Sequence, residues 1–367
     1  MADTLDQRDH WEVDREFTLP HFGDLVTDGR VEHDTDDVET AYFDTAERDL
    51  HAFGMTVTRR VGDDADWVLT MPGSSATLRF ADSTSVPEEL ATITHGVTGG
   101  RGLEHIATIR TLRDSYSVSD ADGGPRLEIH DDNLRASLGD RLLAWREVHA
   151  GPAPAGLRER LSEAGARRAT EPSRLIRLLA GDAGPDTVAV AAGAQALDRY
   201  VAAQVDEIVR GDIELRRGHD PIHDTRVAIR RLRSTIRVFD ELVDVFAEDD
   251  VADVEADLKW FAGVLGDVRD CQVQQDRLGA ALDELPEELI LGPVRARLRN
   301  ALKAVELPAR EAVDEAMRSP RYAKMLSHLQ VWRSRAPFHH WIEAAAVRRH
   351  ANKAQQKKRR RLAAALK

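Results

Sequence analysis

Five cationic side chains between residues 223 and 237 are spaced so that they could act on one ligand. At about 100° per residue, a helix gathers His223, Arg226, Arg230, Arg233 and Arg237 into an arc of roughly 80°. Ile222, Ile229, Leu232, Ile236 and Phe239 form an apolar stripe beside it, roughly a quarter to a third of a turn away. Such a helix buries one face and presents guanidinium groups over more than three turns. Guanidinium forks match phosphate oxygens bidentately and stay charged at any relevant pH. The chemistry implied is recognition of a polyanion. His223 adds ring nitrogens at the N-terminal end of the same arc.

A second reading competes with this one. Arginines at helical spacing often pair with nearby carboxylates, leaving an ordinary solvated face. Glu248, Asp249, Asp250, Asp253, Glu255 and Asp257 lie just downstream and can supply such partners. Against it, Asp224 is the only acid between His223 and Asp240, so the face has almost no compensation of its own. Closely spaced arginines repel one another unless something anionic sits between them.

The run His-x-x-Arg-Val-x-x-Arg-Arg-x-Arg from His223 is followed by a segment from Leu258 to Val273 that contains Lys259, Arg269 and Asp270. Together they resemble the conserved-histidine α-helical (CHAD) domain, an all-helical module that binds inorganic polyphosphate in a basic cavity. The resemblance implies ligand contacts at His223, Arg226, Arg230, Arg231, Arg233 and Arg237, with Lys259 and Arg269 from the next helix. Arg231 lies outside the arc and rests on the resemblance alone. Asp270 is expected to orient an arginine rather than touch ligand.

The elements that must position these groups divide the chain in two. Residues from about 11 to 150 read as short strands and turns, with a hairpin formed by 55–60 and 67–71 and further runs at 106–112, 116–118, 126–130 and 142–148. Such spacing suggests an antiparallel sheet curled into a barrel. Helices are expected at about 155–165 and 172–181. Beyond the Gly- and Asp-rich segment 181–186, long helices of period 3.6 dominate.

The 367 residues carry a formal charge of −13. Residues 1–180 hold about −14 of it and the remainder about +1, so an acidic protein can still focus positive charge in its second half. The basic groups cluster further at Arg348, Arg349, Lys353, Lys357, Lys358, Arg359, Arg360 and Arg361. No stretch approaches the ~20 apolar residues that span a bilayer. The polar, acidic N-terminus shows no signal region. The single cysteine, Cys271, rules out an internal disulfide framework and argues against a thiolate metal site.

The first half carries its own resemblance. Glu12, Asp14 and Glu16, then the segments at Tyr42, Gly54–Arg60, Trp67–Thr70 and Trp145–His149, follow the order of a CYTH domain. Such domains are triphosphate-tunnel barrels, often fused in front of a CHAD module. The resemblance implies inward cations for a triphosphate and inward carboxylates for Mg²⁺ or Mn²⁺. This chain departs from the pattern at the chemical positions. Glu16 stands where the signature lysine is expected, Thr58 and Thr70 replace cations, and His149 replaces the second acid of the late pair. Arg60 is kept, and Arg79, Arg110 and Arg113 are candidates to point inward. Burying a triphosphate without enough counter-charge is costly, so the barrel is expected to be inactive.

The combined expectation is an α+β multidomain protein. Residues 1–180 form a CYTH-like antiparallel β-barrel or tunnel domain, 181–186 a linker, and 187–367 an all-α CHAD-like helical-bundle domain lacking or truncated in its second half. The missing half implies either a shortened form or a homodimer that completes the cavity. The leading function is binding of inorganic polyphosphate, with no catalytic residues assigned and no cofactor required. The alternative is a metal-dependent triphosphatase using Mg²⁺ or Mn²⁺, which the resemblance would place at Glu12, Asp14 and Glu147. Nucleic acid and membrane are not expected partners, because the basic tail lacks interleaved aromatics for base stacking. The expected location is the cytoplasm, with polyphosphate granules.

Overall fold

The computed structural model describes residues 9–26, 30–61, 65–72, 77–120, 125–151, 155–169, 174–179, 190–244, 247–286, 290 and 292–365. The expected linker 181–186 and parts of two expected turns, 62–64 and 121–124, lie outside the described residues. Contacts divide the chain into two units. One comprises Met1–Arg48, Met55–Pro87 and Gly102–Asp186; the other comprises Asp49–Gly54, Glu88–Arg101 and Thr187–Lys367. Two segments from the first half of the chain therefore group with the helical unit.

Among the described residues the sheet unit has nine strands: β1 (Asp9–Val13), β2 (Arg30–Asp44), β3 (Thr56–Val61), β4 (Trp67–Thr70), β5 (Thr77–Phe80), β6 (Glu104–Ser119), β7 (Pro125–Leu138), β8 (Arg141–Gly151) and β9 (Arg167–Arg168). They pair antiparallel in the order β5-β4-β3-β2-β6-β7-β8-β1-β9. The expected hairpin is β3 with β4. The two runs read separately at 106–112 and 116–118 are one strand. The polar residues between them find partners across the sheet: Arg113 pairs with Asp132, and Asp114 accepts from Thr35. β2 was not legible in the sequence, because Asp34, Asp36 and Asp37 disguise it; Arg110 of β6 takes up Asp37.

Two short helices, α3 (Ala155–Glu163) and α4 (Arg174–Leu179), follow β8 and cover the sheet. Leu157 and Leu161 of α3 pack with Trp11, Ile129 and Val148, whereas Leu175 and Leu178 of α4 pack with Ile109, Leu134 and Ala136.

The helical unit contains α1 (Asp49–Ala52), α2 (Glu88–Thr98), α5 (Ala192–Arg216), α6 (Ile222–Val238), α7 (Glu248–Asp283), α8 (Val294–Arg318), α9 (Pro320–Ser334) and α10 (Ala344–Ala365). Gly218 ends α5 with a φ of 77°, a left-handed turn that a side chain would disfavour. Ser319 caps α9 by accepting from the Tyr322 amide at 3.2 Å, with Pro320 in the first turn. The expected apolar stripe of α6 is inside: Ile222, Ile229, Leu232, Ile236 and Phe239 are all buried. Among the described residues no helix is long and apolar enough to cross a membrane.

Candidate functional site

Burying the apolar stripe of α6 turns its arginines along α7. Arg226 reaches across and donates from Nη1 to the carbonyl oxygen of Ala262 at 2.6 Å. A Cβ at Gly266 would collide with that guanidinium, so the glycine leaves the space in which Arg226 lies. At the other end Arg237 donates from Nε to Glu255 Oε1 at 2.6 Å, and Arg233 reaches the same oxygen at 3.4 Å. Residue numbers fall along α6 as they rise along α7, so the two helices run antiparallel. Lys259 is one turn beyond Glu255 on the same face of α7, between these two contacts.

The expected ligand groups therefore fall into three classes. Arg226 is tied to backbone, and Arg233 and Arg237 are tied to Glu255. His223, Arg230, Arg231 and Lys259 are exposed and have no hydrogen-bond or ion-pair partner among the described residues. Pairing with acids is therefore uneven along the stripe. One of the downstream acids neutralises the C-terminal end of the stripe, and the middle is left uncompensated. Arg269 lies half-buried and donates to Gln272 on its own helix at 3.1 Å. Gln272 in turn donates to Asp220, which also accepts from Arg310. Asp270 is exposed and has no ion-pair partner among the described residues, so the expected role of orienting an arginine is not seen. A separate groove of about 530 Å³ between α7 and α8, lined in part by Leu298, Arg299, Leu302 and Lys303, includes none of the stripe residues.

The sheet unit presents the opposite electrostatics. The strand registers align Arg113 of β6, Asp132 of β7, Glu147 of β8 and Glu12 of β1 as successive cross-strand neighbours. Carboxylates on adjacent strands repel at such separations, so a row of three demands counter-cations. α4 supplies two of them. Arg174 donates to Glu147 Oε1 at 2.5 Å and also pairs with Asp132, while Arg177 donates to Glu12 at 2.9 Å and lies over the Trp145 ring. Arg113 holds Asp132 through two bonds of 2.8 Å. Glu147 also accepts from His10 at 3.3 Å, from His149 at 3.1 Å and from Trp145 Nε1 at 3.0 Å. Burial alone would push the Glu147 carboxyl up. The bonds from His10 and His149 and the charge of Arg174 outweigh it and hold the group well below the usual carboxylate range. Burial pushes the stacked His149 imidazole down, and its Nδ1 has no partner among the described residues.

Two of the other candidate cations of this unit are also engaged. Arg79 pairs with Asp66 and Arg110 with Asp37, whereas Arg60 has no ion-pair partner among the described residues. Of the carboxylates named for metal, Glu12 and Glu147 are direct cross-strand partners and Asp14 is exposed. The trio of possible ligands that does gather is His10, Glu147 and His149. With four donors on Glu147 and Arg177 on Glu12, these carboxylates do not fit a Mg²⁺ or Mn²⁺ ion as they stand. Arg174 and Arg177 were missed in the sequence. Their signal was a short Arg-Leu-Ile-Arg-Leu-Leu run whose leucines mark one face and whose arginines mark another.

Comparison with known proteins gives the following. The CHAD domain family model matches residues 199–367. An uncharacterized protein of Mycobacterium tuberculosis is 30% identical over 364 residues, covering 87% of this chain and 69% of its own length, and the sequence from a second strain gives the same figures. Among solved structures, PptA from Streptomyces chartreusis aligns at 25% identity and a TM-score of 0.41 over 47% of this chain. This chain covers 60% of that protein. A Hippeastrum protein described as revealing a dominant triphosphatase activity aligns at 14% identity and a TM-score of 0.29, over 48% of this chain and 97% of its own.

Proposed function

The chain belongs to the CHAD domain family, and on that footing we propose that its helical unit binds inorganic polyphosphate along α6. The observation that supports this most is the contrast in counter-ions. Arg230, Arg231 and Lys259 are exposed without a partner among the described residues, while the cationic groups Arg113, Arg174 and Arg177 of the sheet unit are all engaged by carboxylates. Unpaired, closely placed cations favour a ligand with repeating negative charge. Arg226, held by backbone, gives the ligand a guanidinium that needs no reorganisation.

In this reading no cofactor is needed, the sheet unit is catalytically silent, and the protein resides with polyphosphate granules in the cytoplasm. A homodimer bringing two α6 faces together would lengthen the cationic surface. The alternative, a metal-dependent triphosphatase, must first displace Arg174 and Arg177 from the carboxylates that would hold its ion.

Titration of the protein with long-chain polyphosphate at two salt concentrations tests the proposal. Binding should be tight and should weaken steeply with salt through counterion release. The double variant Arg230→Glu, Lys259→Glu should bind at least about a hundredfold more weakly, since each charged hydrogen bond contributes about 1.5–3 kcal/mol. Unchanged affinity in that folded variant rejects the face. Phosphate release from tripolyphosphate with Mg²⁺ or Mn²⁺, lost on Glu147→Gln, would favour the alternative.

A further inference from the structure

One carboxylate, Glu255, holds two of the arginines of α6. Arg237 and Arg233 converge on its Oε1, and Arg237 is 59% exposed whereas Glu255 is 28% exposed. The cluster is thus open to an anion from solution. An anion resting on Arg230 and Lys259 meets cations with no partner among the described residues. Arg237 lies seven residues further along the helix, roughly 10 Å at 1.5 Å per residue, so a small anion on Arg230 does not reach it. A polyphosphate chain can reach it, and there it competes with Glu255 for the Nε and Nη2 edge of Arg237 and for Nη2 of Arg233.

We infer that Glu255 sets the length of polyphosphate that the α6 face engages, as a built-in counter-anion that a long chain displaces and a short one does not. This rests on the polyphosphate reading above. The exchange conserves charge pairing, because Arg233 and Arg237 trade one carboxylate for successive phosphates. Its cost is the lost Arg–Glu attraction together with placing Glu255 beside a polyanion. That cost falls only on ligands extending past Arg230, so it compresses the advantage that long chains would otherwise hold over short ones.

The test compares long-chain polyphosphate and tripolyphosphate on the wild-type chain, Glu255→Gln and Asp253→Asn. Asp253 lies on the same helix and is paired with Lys324 of α9, so its replacement changes net charge equally without freeing an α6 arginine. Glu255→Gln should raise long-chain affinity about three- to tenfold, the order expected when two cations become available for counterion release. Tripolyphosphate affinity should change less than twofold, and Asp253→Asn should leave both ligands within about twofold. Adding Arg237→Ala to Glu255→Gln should remove the gain, with circular dichroism and melting curves confirming the fold of each variant. Equal gains in Glu255→Gln and Asp253→Asn, equal gains for the two ligands, or no gain, would overturn the inference while long-chain binding by the wild type left the polyphosphate reading standing. Failure of every variant and of the wild type to bind long chains rejects that reading, and the inference with it.

Discussion

At the scale of single residues, the two units use arginine for opposite ends. On α6 the guanidiniums are spread along one face, and the contact of Arg226 to a backbone carbonyl leaves its charge unspent. In the sheet unit Arg174 is largely buried and its charge is spent on Glu147 and Asp132. Removing one partner of a buried pair leaves an uncompensated charge, so Arg174→Ala should cost about 3–5 kcal/mol of stability, measurable by urea unfolding. Acid should have a related effect. Both Glu147 and His149 have folded pKa values below their unfolded ones, so each contributes stability that is present above the unfolded value and lost as pH falls. The melting temperature of the sheet unit is expected to decline below about pH 6.5, where unfolding lets His149 take up a proton, and more steeply below about pH 4.3, where unfolding lets Glu147 do the same. A melting temperature unchanged between pH 7 and 4 would contradict this.

At the scale of elements, the α6–α7 pair shows how a helix is adapted to hold a side chain of its neighbour. α7 carries glycine at 263, 266 and 279. A helix interior normally loses about 1 kcal/mol at a glycine relative to alanine, so each needs a reason. Gly266 has one: its missing Cβ is the seat of the Arg226 guanidinium. A Cβ at Gly263 meets nothing within 4 Å. Gly263→Ala should therefore leave polyphosphate binding unchanged and add up to about 1 kcal/mol of stability. Gly266→Ala, by contrast, should displace Arg226 and weaken binding several-fold, while the lost Arg226–Ala262 bond, about 1 kcal/mol, offsets the helix gain. Paired melting curves and titrations of the two variants separate these outcomes; identical behaviour would mean that the seat of Arg226 does not matter.

At the scale of the whole molecule, the helical unit is not a contiguous stretch of chain. Leu90, Ile93 and Val97 of α2 are buried within it, and Asp49 of α1 is held by two bonds from Arg101. Tyr322 of α9 donates to Asp212 of α5, which also takes Arg216, beneath the space left by Gly96 of α2. A fragment comprising Thr187–Lys367 retains α6 and α7 but exposes this apolar surface and the Asp212 network. Its unfolding should shift to lower denaturant and lose cooperativity relative to the full chain, and it should bind a hydrophobic dye. A fragment as stable as the full chain would show that α1 and α2 contribute little to the unit with which they group.

The sequence by itself determined what depends on local periodicity. The 3.6-residue spacing of Ile222, Ile229, Leu232 and Ile236 made α6 a helix with one buried face, and the same spacing placed its arginines together on the other. The β3–β4 hairpin and the succession of a sheet by helices were legible for the same reason, since alternation and period are written residue by residue. What the tertiary structure alone decided is pairing between groups far apart in the chain. The acids of β2 and the polar centre of β6 looked like loops until cross-strand partners neutralised them. Glu255 was one of six nearby acids, and only the antiparallel packing of α7 on α6 selected it as the partner of Arg233 and Arg237. Arg174 and Arg177 stand 27 and 165 residues from Glu147 and Glu12, and no sequence pattern links them. Electrostatic partnership depends on distance in space, and that distance is set by the burial of apolar faces, not by position along the chain.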